Sequence, residues 1–331
     1  MMIIDIHAHI LVSEILADHG NEVWRLDTVQ QPNGGLMVRN KLFTNGPTIK
    51  PLIGPGKIVE AMQAVGVDLA VLSTPPYAFY YDLPPRDGEY ASAIQNDGLA
   101  RAVAEYPQHL AGLGTVPLQD ITSAVKELNR LMTDLRLSGI EIASNVNGED
   151  LGHDRYRPFW EAVEGLGAVV FVHPAYFEQI GMKRMTDFYL RNLLGNPMET
   201  AQFGAHLIFS GILEAYPRLK IVLAHGGGVL PYLLGRMDHG YHVRPEPKRR
   251  IPRPPSEYLS MFYFDIITHH RLALRYLVNL VGADQVLLGS DYPYDMGYND
   301  PVQVVNQLPD LSQVEREKIL GGNALRLLGR A

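Results

Sequence analysis

The sequence predicts an α/β fold of eight strand–helix pairs, on three observations: short apolar runs alternate with longer helical patterns over nearly the whole length, the runs number eight, and several close on His or Asp. The runs span residues 3–7, 69–73, 110–116, 139–143, 169–173, 220–225, 262–267 and 286–291. Run five, Val169-Val170-Phe171-Val172-His173, is apolar at successive positions, as a parallel strand buried on both faces must be. Helical patterns fill the intervals at 56–65, 91–106, 121–135, 158–166, 195–215, 229–237, 271–281 and 301–311, and a last one covers 313–328. An open doubly wound sheet has the same local grammar; the count of eight favours closure into a (β/α)8 TIM barrel.

Nothing in the composition divides the 331 residues, so residues 1–331 are expected to form one domain, with 46% hydrophobic and 20% charged residues and its 31 Gly and 23 Pro spread along the chain. Two insertions stand out. Residues 11–54 follow strand one directly and are expected to extend the catalytic face, whereas the Pro-rich 240–258 follows helix six.

Net charge is −7, and the dense basic cluster Lys248-Arg249-Arg250 with Arg253 sits among prolines in a loop, which argues against a nucleic-acid partner. A membrane span needs about eighteen consecutive apolar residues, and no such stretch occurs. Asp5, His7 and His9 stand where a signal peptide would be basic and then apolar, so a cytoplasmic location is expected. The absence of cysteine excludes thiol nucleophiles, disulfides, Fe–S clusters and Cys-based zinc sites. His, Asp and Glu are left for metal binding and acid–base work.

Strand one ends in His7-Ala8-His9, and residues two apart on a strand share a face, so two imidazoles point the same way. Alone, this pair reads as a solvated terminus, and Asp291 alone as a turn residue before Pro. In company they mean more. Strand five ends in His173-Pro174, strand six in His225-Gly226-Gly227-Gly228, and strand eight in Ser290-Asp291-Tyr292-Pro293, all at the barrel end where active sites sit.

This combination resembles the amidohydrolase superfamily over nearly the full length. Phe171-Val172-His173-Pro174, His225-Gly226-Gly227-Gly228 with Leu234-Gly235-Arg236, Arg253-Pro254-Pro255-Ser256-Glu257-Tyr258 and Leu288-Gly289-Ser290-Asp291-Tyr292-Pro293 are most similar to the 2-amino-3-carboxymuconate-6-semialdehyde decarboxylase group. The resemblance implies one divalent ion, Zn2+ or another such as Mn2+, held by His7, His9, His173 and Asp291, with His225 as acid–base residue and Asp291 also in the catalytic set. Strand four lacks the Lys that bridges two ions in binuclear members, and Glu141, inside that strand, is expected to be structural or to support the ligands from behind.

The implied activity is non-oxidative decarboxylation of a small unsaturated or aromatic carboxylic acid in aromatic-compound breakdown, without an organic cofactor. Amide or lactone hydrolysis, or hydration, is the alternative on the same ligands. The resemblance further implies a homodimer in which Arg236 reaches a substrate carboxylate in the neighbouring subunit. A second substrate-binding Arg of the family is matched here by Lys50 before Pro51, with Arg39 and Lys41 nearby, and Lys offers a point charge where Arg offers a planar fork. His269-His270 and the aromatic run Tyr77-Ala78-Phe79-Tyr80-Tyr81 follow strands seven and two on the same face. His109, His153, His206, His239 and His242 read as ordinary surface or helix residues.

Overall fold

The computed structural model describes residues 1–30, 36–40, 54–175 and 177–330. Its central sheet has eight parallel strands arranged in chain order: β1 (Ile4–His9), β2 (Leu69–Ser73), β3 (Leu110–Gly114), β4 (Gly139–Ala143), β5 (Val169–His173), β6 (Lys220–Leu223), β7 (Phe262–Asp265) and β8 (Val286–Leu287). Beyond β8 the chain stays paired with β1. Ile6 N donates to Leu288 O at 2.9 Å, Asp291 N to His7 O at 2.8 Å and His9 N to Tyr292 O at 2.8 Å, so the sheet closes into the barrel.

The helices between the strands are α1 (Pro55–Ala64), α2 (Pro85–Glu105), α3 (Ile121–Thr133), α4 (Arg157–Leu166), α5 (Asn196–Phe209), α6 (Leu230–Val243), α7 (Arg271–Val281) and α8 (Pro301–Asn306). Local chemistry sets their ends. Proline stands at the start of α1, α2 and α8, where its missing N–H costs nothing, and Asp120 caps α3 by accepting from Ser123 N at 2.8 Å. Helix α2 begins six residues before its expected start, at Pro85. The stretch expected as one helix over 195–215 is broken at Gly211, whose φ is +75°, leaving α5 and a short turn Ile212–Ala215.

Alternation along the strands divides the core in two. Ile140, Ile142, Val170, Val172, Ile221 and Leu223 face the helices, while Leu69, Val71, Ala111, Leu113, Val169, Phe171, Val222 and Leu287 fill the barrel. Ala324 and Leu327 of the terminal helix Asn323–Leu327 plug its lower end. The upper end receives the loops. From the first insertion, Trp24 is buried against Tyr80, whose hydroxyl donates to Trp24 O at 3.1 Å, and Glu14 meets Arg101 of α2. Among the described residues no helix is long and apolar enough to cross a membrane.

Candidate active site

Backbone geometry delivers the polar side chains of four strand ends to one point. A bulge in β1 between Asp5 and Ala8 shifts its register against β2, and His7 and His9 both turn inward. Their Nε2 atoms are 3.2 Å apart, and each lies close to Asp291 Oδ1, at 3.3 Å from His7 and 3.2 Å from His9. His225 Nε2 is 3.6 Å from Asp291 Oδ2. Donor atoms of His7, His173, His225 and Asp291 all lie within 4.8 Å of one another.

His225 and Asp291 hold left-handed backbone, φ +55° and +59°, a conformation uncommon outside glycine and typical of over-determined functional sites. After His225 the chain continues left-handed through three glycines. At Gly228 a Cβ would lie 2.1 Å from Pro197 O, so only glycine allows α5 to approach.

Hydrogen bonds fix which nitrogen of each ring faces the cluster. Nδ1–H of His7 donates to Asp265 Oδ2 at 2.8 Å, that of His9 to Thr74 O at 3.2 Å and that of His173 to Pro174 O at 3.2 Å. Each acceptor is an oxygen without a proton, so the Nε2 lone pairs of all three converge beside a carboxylate. Three inward lone pairs and a carboxylate oxygen form a donor set that fits a divalent cation.

The electrostatics agree. Burial works against a charged His7, yet Asp291 and Asp265 outweigh it and lift its pKa to about 10, so without an ion a proton sits on the Nε2 whose lone pair a cation would take. Burial, reinforced by the neighbouring imidazoles, holds His173 neutral, well below its ordinary value. Asp291, despite burial, is kept ionised well below the usual carboxylate range by His7, His225 and His9. The position demands positive charge and no Lys or Arg is among these residues.

Two buried acids that sequence reasoning passed over hold the cluster in place. Asp265 accepts from His7 Nδ1, from the backbone N–H of His225 at 2.9 Å, and from those of Gly226 at 2.8 Å and Ile267 at 3.0 Å. One carboxylate thus fixes both the His7 ring and the backbone of His225. Asp5 accepts from His7 N at 3.0 Å, Ser290 N at 3.1 Å and Ser290 Oγ, tying β1 to the segment that carries Asp291. Burial, partly offset by these bonds, raises its pKa to about 6. Asp265 closes an apolar run as His173 does, but Ile266 and Ile267 continue the apolar pattern past it, so it has the look of a residue inside the strand.

Two cavities of about 460 and 600 Å³ open on the cluster, sharing His225, Asp291, Asn192, Asn196 and Met296. Tyr77 and Tyr294 line the first, and the Tyr294 ring lies 5.2 Å from that of His9. The rest of the aromatic run, Phe79, Tyr80 and Tyr81, is buried in the core beneath the rim. His269 lines the second cavity, whereas His270 caps α7 by accepting from Leu272 N at 3.3 Å. Glu141 is fully buried with Oε2 3.7 Å from His9 Nδ1. Arg236 is exposed on α6 and lines neither cavity of its own chain. Arg39 is also exposed, 3.9 Å from Asp27, and Lys41 and Lys50 lie outside the described residues.

A sequence model of the family described as Amidohydrolase matches residues 4–330. The chain belongs to that family. A 2-amino-3-carboxymuconate-6-semialdehyde decarboxylase of Dictyostelium discoideum is 37% identical, over 98% of this chain and 91% of its own. A gamma-resorcylate decarboxylase of Polaromonas is 29% identical over 81% and 85%. Among solved structures, 5-carboxyvanillate decarboxylase LigW of Sphingomonas paucimobilis superposes with a TM-score of 0.83 at 26% identity, covering 99% of each chain. A 5-carboxyvanillate decarboxylase of Novosphingobium aromaticivorans, complexed with manganese and 4-hydroxy-3-methoxy-5-nitrobenzoic acid, matches with a TM-score of 0.76 at 25% identity over 84% of this chain and 81% of that one. This amidohydrolase is a carboxy-lyase with a divalent-metal site.

Proposed function

We propose that the chain decarboxylates a small aromatic or unsaturated carboxylic acid without redox change. One divalent ion, zinc or manganese, is held by His7, His9, His173 and Asp291, and His225 is the acid–base residue. The convergence of three Nε2 lone pairs on Asp291, at a cavity whose wall includes His173 and Asp291 with His7 and His9 buried behind them, carries this reading. His225 takes the proton-transfer role because it faces both cavities and is partly exposed, whereas His9 is fully buried.

When bound, the ion supplies Lewis acidity to a substrate oxygen. The protein's own groups do the rest. Asp265 keeps Nδ1 of His7 protonated and so leaves the Nε2 lone pair aimed inward for the ion. His225 delivers a proton to the carbon that bears the carboxylate; the carbon–carbon bond then breaks, carbon dioxide leaves, and its bonding electrons restore the unsaturated system. The adjoining walls of Tyr77, Tyr294, Met185 and Met296 suit a flat unsaturated ligand.

Arg236 acts, in this proposal, across a homodimer. On α6 it follows the exposed Tyr232 by one turn, and Tyr232 lies with Leu193, Leu272 and Tyr276 on a part-exposed apolar wall of the second cavity. A second copy covering that wall brings an Arg236 toward the neighbouring site. Lys50 is the proposed second anion contact from the first insertion.

The decisive assay combines metal analysis with a screen of hydroxybenzoates and muconate-type acids for released carbon dioxide, with amides and lactones alongside. Hydrolysis without carbon dioxide would sink the proposal. Mixing Arg236→Ala with His225→Ala should restore activity that neither has alone, because one mixed dimer contains one intact shared site.

A further inference from the structure

Asp150, His153 and His206 form a group apart from the catalytic cluster and line neither cavity. Three elements bring them together. Asp150 ends the small antiparallel hairpin of Asn145–Val146 with Glu149–Asp150, His153 stands before the turn Asp154–Tyr156 without making a side-chain capping bond, and His206 lies on α5. One ligand atom from each lies within 4.8 Å of the other two.

The spacing separates coordination from hydrogen bonding. His206 Nε2 is 3.6 Å from Asp150 Oδ2, beyond a hydrogen bond. Atoms held about 2.0–2.2 Å from one tetrahedral ion stand roughly 3.3–3.6 Å apart, so this is the separation of two ligands sharing a cation. The rings of His153 and His206 have centroids 5.1 Å apart and are tilted by 55° rather than stacked.

Packing aims the His206 ring. Its Nδ1 is buried against Gly152, where a Cβ would come within 2.4 Å of that nitrogen and 2.9 Å of His206 O, so only glycine lets the chain between Asp150 and His153 close onto the ring. Nε2 is left toward Asp150. Gln202, one turn before His206 on α5, donates Nε2 to Asp150 Oδ2 at 3.2 Å and steadies the carboxylate. Burial, with His153 and Arg250 adding to it, holds the His206 pKa below its ordinary value against the pull of Asp150, which leaves a neutral ring with a lone pair to give. Arg250 is itself held by Asp154 through two bonds of 2.7 and 3.0 Å, which balances its charge.

We infer that Asp150, His153 and His206 bind a second divalent transition cation such as Zn2+, with water completing the shell. The ion clasps the hairpin after β4 to α5, whose first residue, Asn196, lines both cavities. The same hairpin bonds the start of α5 through Asn145 Nδ2 and Glu199 Oε2 at 2.8 Å, so the two elements are joined by a hydrogen bond at one point and by the ion at another. The site is independent of the reaction proposed for the catalytic cluster.

Equilibrium dialysis of the untagged, manganese-loaded enzyme against zinc chloride tests this, with zinc and manganese per chain counted by elemental analysis. Wild type should take up one zinc more than His153→Gln, a change at an exposed position that leaves the core untouched. Asp150→Asn and His206→Gln should lose the same zinc, and Gln202→Leu should weaken it about 10-fold, as loss of a supporting partner does. Added zinc should also raise the melting temperature of wild type more than that of His153→Gln. Equal zinc in wild type and His153→Gln overturns the inference. So does a zinc lost in His153→Gln but kept in both Asp150→Asn and His206→Gln, which would place the ion elsewhere on the surface. Exchange of manganese at the catalytic cluster is common to all these proteins and cancels in the difference, and failure of the decarboxylase proposal shows separately, as missing carbon dioxide in the turnover screen.

Discussion

At the lower end of the barrel the interior is filled by Ile4, Leu69, Ala111, Val169, Val222 and Leu287 under a plug of Ala324 and Leu327, whereas at the upper end the same interior holds His7, His9, Glu141, His173, Asp265 and Asp291. Both ends are buried, but for opposite reasons. Each large apolar side chain below gains about 1.5–3 kcal/mol from leaving water, and the layer needs only volume and shape. Each polar group above loses solvation and must be matched, which is why Asp265 alone accepts from His7, His225, Gly226 and Ile267. Stability is concentrated in the lower layer and chemistry in the upper, as binding sites built on rigid scaffolds require.

The contrast is most exposed by His225→Ala. Loss of the acid–base group should lower kcat by about 10²- to 10⁴-fold with metal content and melting temperature kept, read by turnover and elemental analysis. Loss of metal instead would place His225 among the ligands, a role its proximity to His7, His173 and Asp291 also allows. The mirror experiment is Leu69→Ala below. It should cost about 2–5 kcal/mol in denaturant unfolding and leave kcat unchanged where the protein remains folded.

A smaller effect is expected between the two layers of the site itself. Asp265→Asn keeps the shape but removes the acceptor charge behind His7, and metal affinity should fall about 10- to 100-fold in a competition titration. If affinity is untouched, Asp265 serves the His225 turn rather than the ligand. The smallest effect lies on the surface, away from both ends. Arg250 and Arg157 lower the pKa of Asp154 from 3.8 to about 2, so its contribution to stability is present above pH ~4 and is lost as pH falls toward 2. Asp154→Asn should therefore melt slightly below wild type at neutral pH, with the gap closing below pH ~2 in thermal scans; a gap that persists there would point to packing rather than charge.

Much of the upper layer was legible because each residue proposed for metal binding or acid–base work closes an apolar run: His7 and His9, His173, His225 and Asp291 are all strand-end residues that the fold gathers. Helix ends were less legible. Helix α2 starts early at Pro85 and the 195–215 pattern breaks at Gly211, because capping and a single left-handed residue decide such boundaries against a continuing hydrophobic pattern. Run eight also shortens: only Val286 and Leu287 are regular strand, and the chain beyond them turns through Asp291 at φ +59°.

Residues that act through others left a weaker trace. Asp265 and Asp5 read as isolated acids in apolar runs, and the partners that tie them to the cluster are distant in the chain, with |i−j| of 258 for Asp265 and His7 and 285 for Asp5 and Ser290. The group of Asp150, His153 and His206 gives no local sign at all. Its assembly depends on the hairpin after β4 meeting α5, which the chain brings together only on folding.

By itself the sequence determined the barrel, through eight apolar runs at helix-length intervals, and the positions of the His and Asp residues that close them, whose proposed metal-binding role rests on the family resemblance. Both follow from local periodicity, which a linear string records in full. Tertiary structure alone decided which nitrogen of each imidazole faces inward, which acids hold them, and which residues gather into a second cluster away from the barrel mouth. Those depend on hydrogen-bond partners distant in the chain and on burial, and no local pattern encodes either.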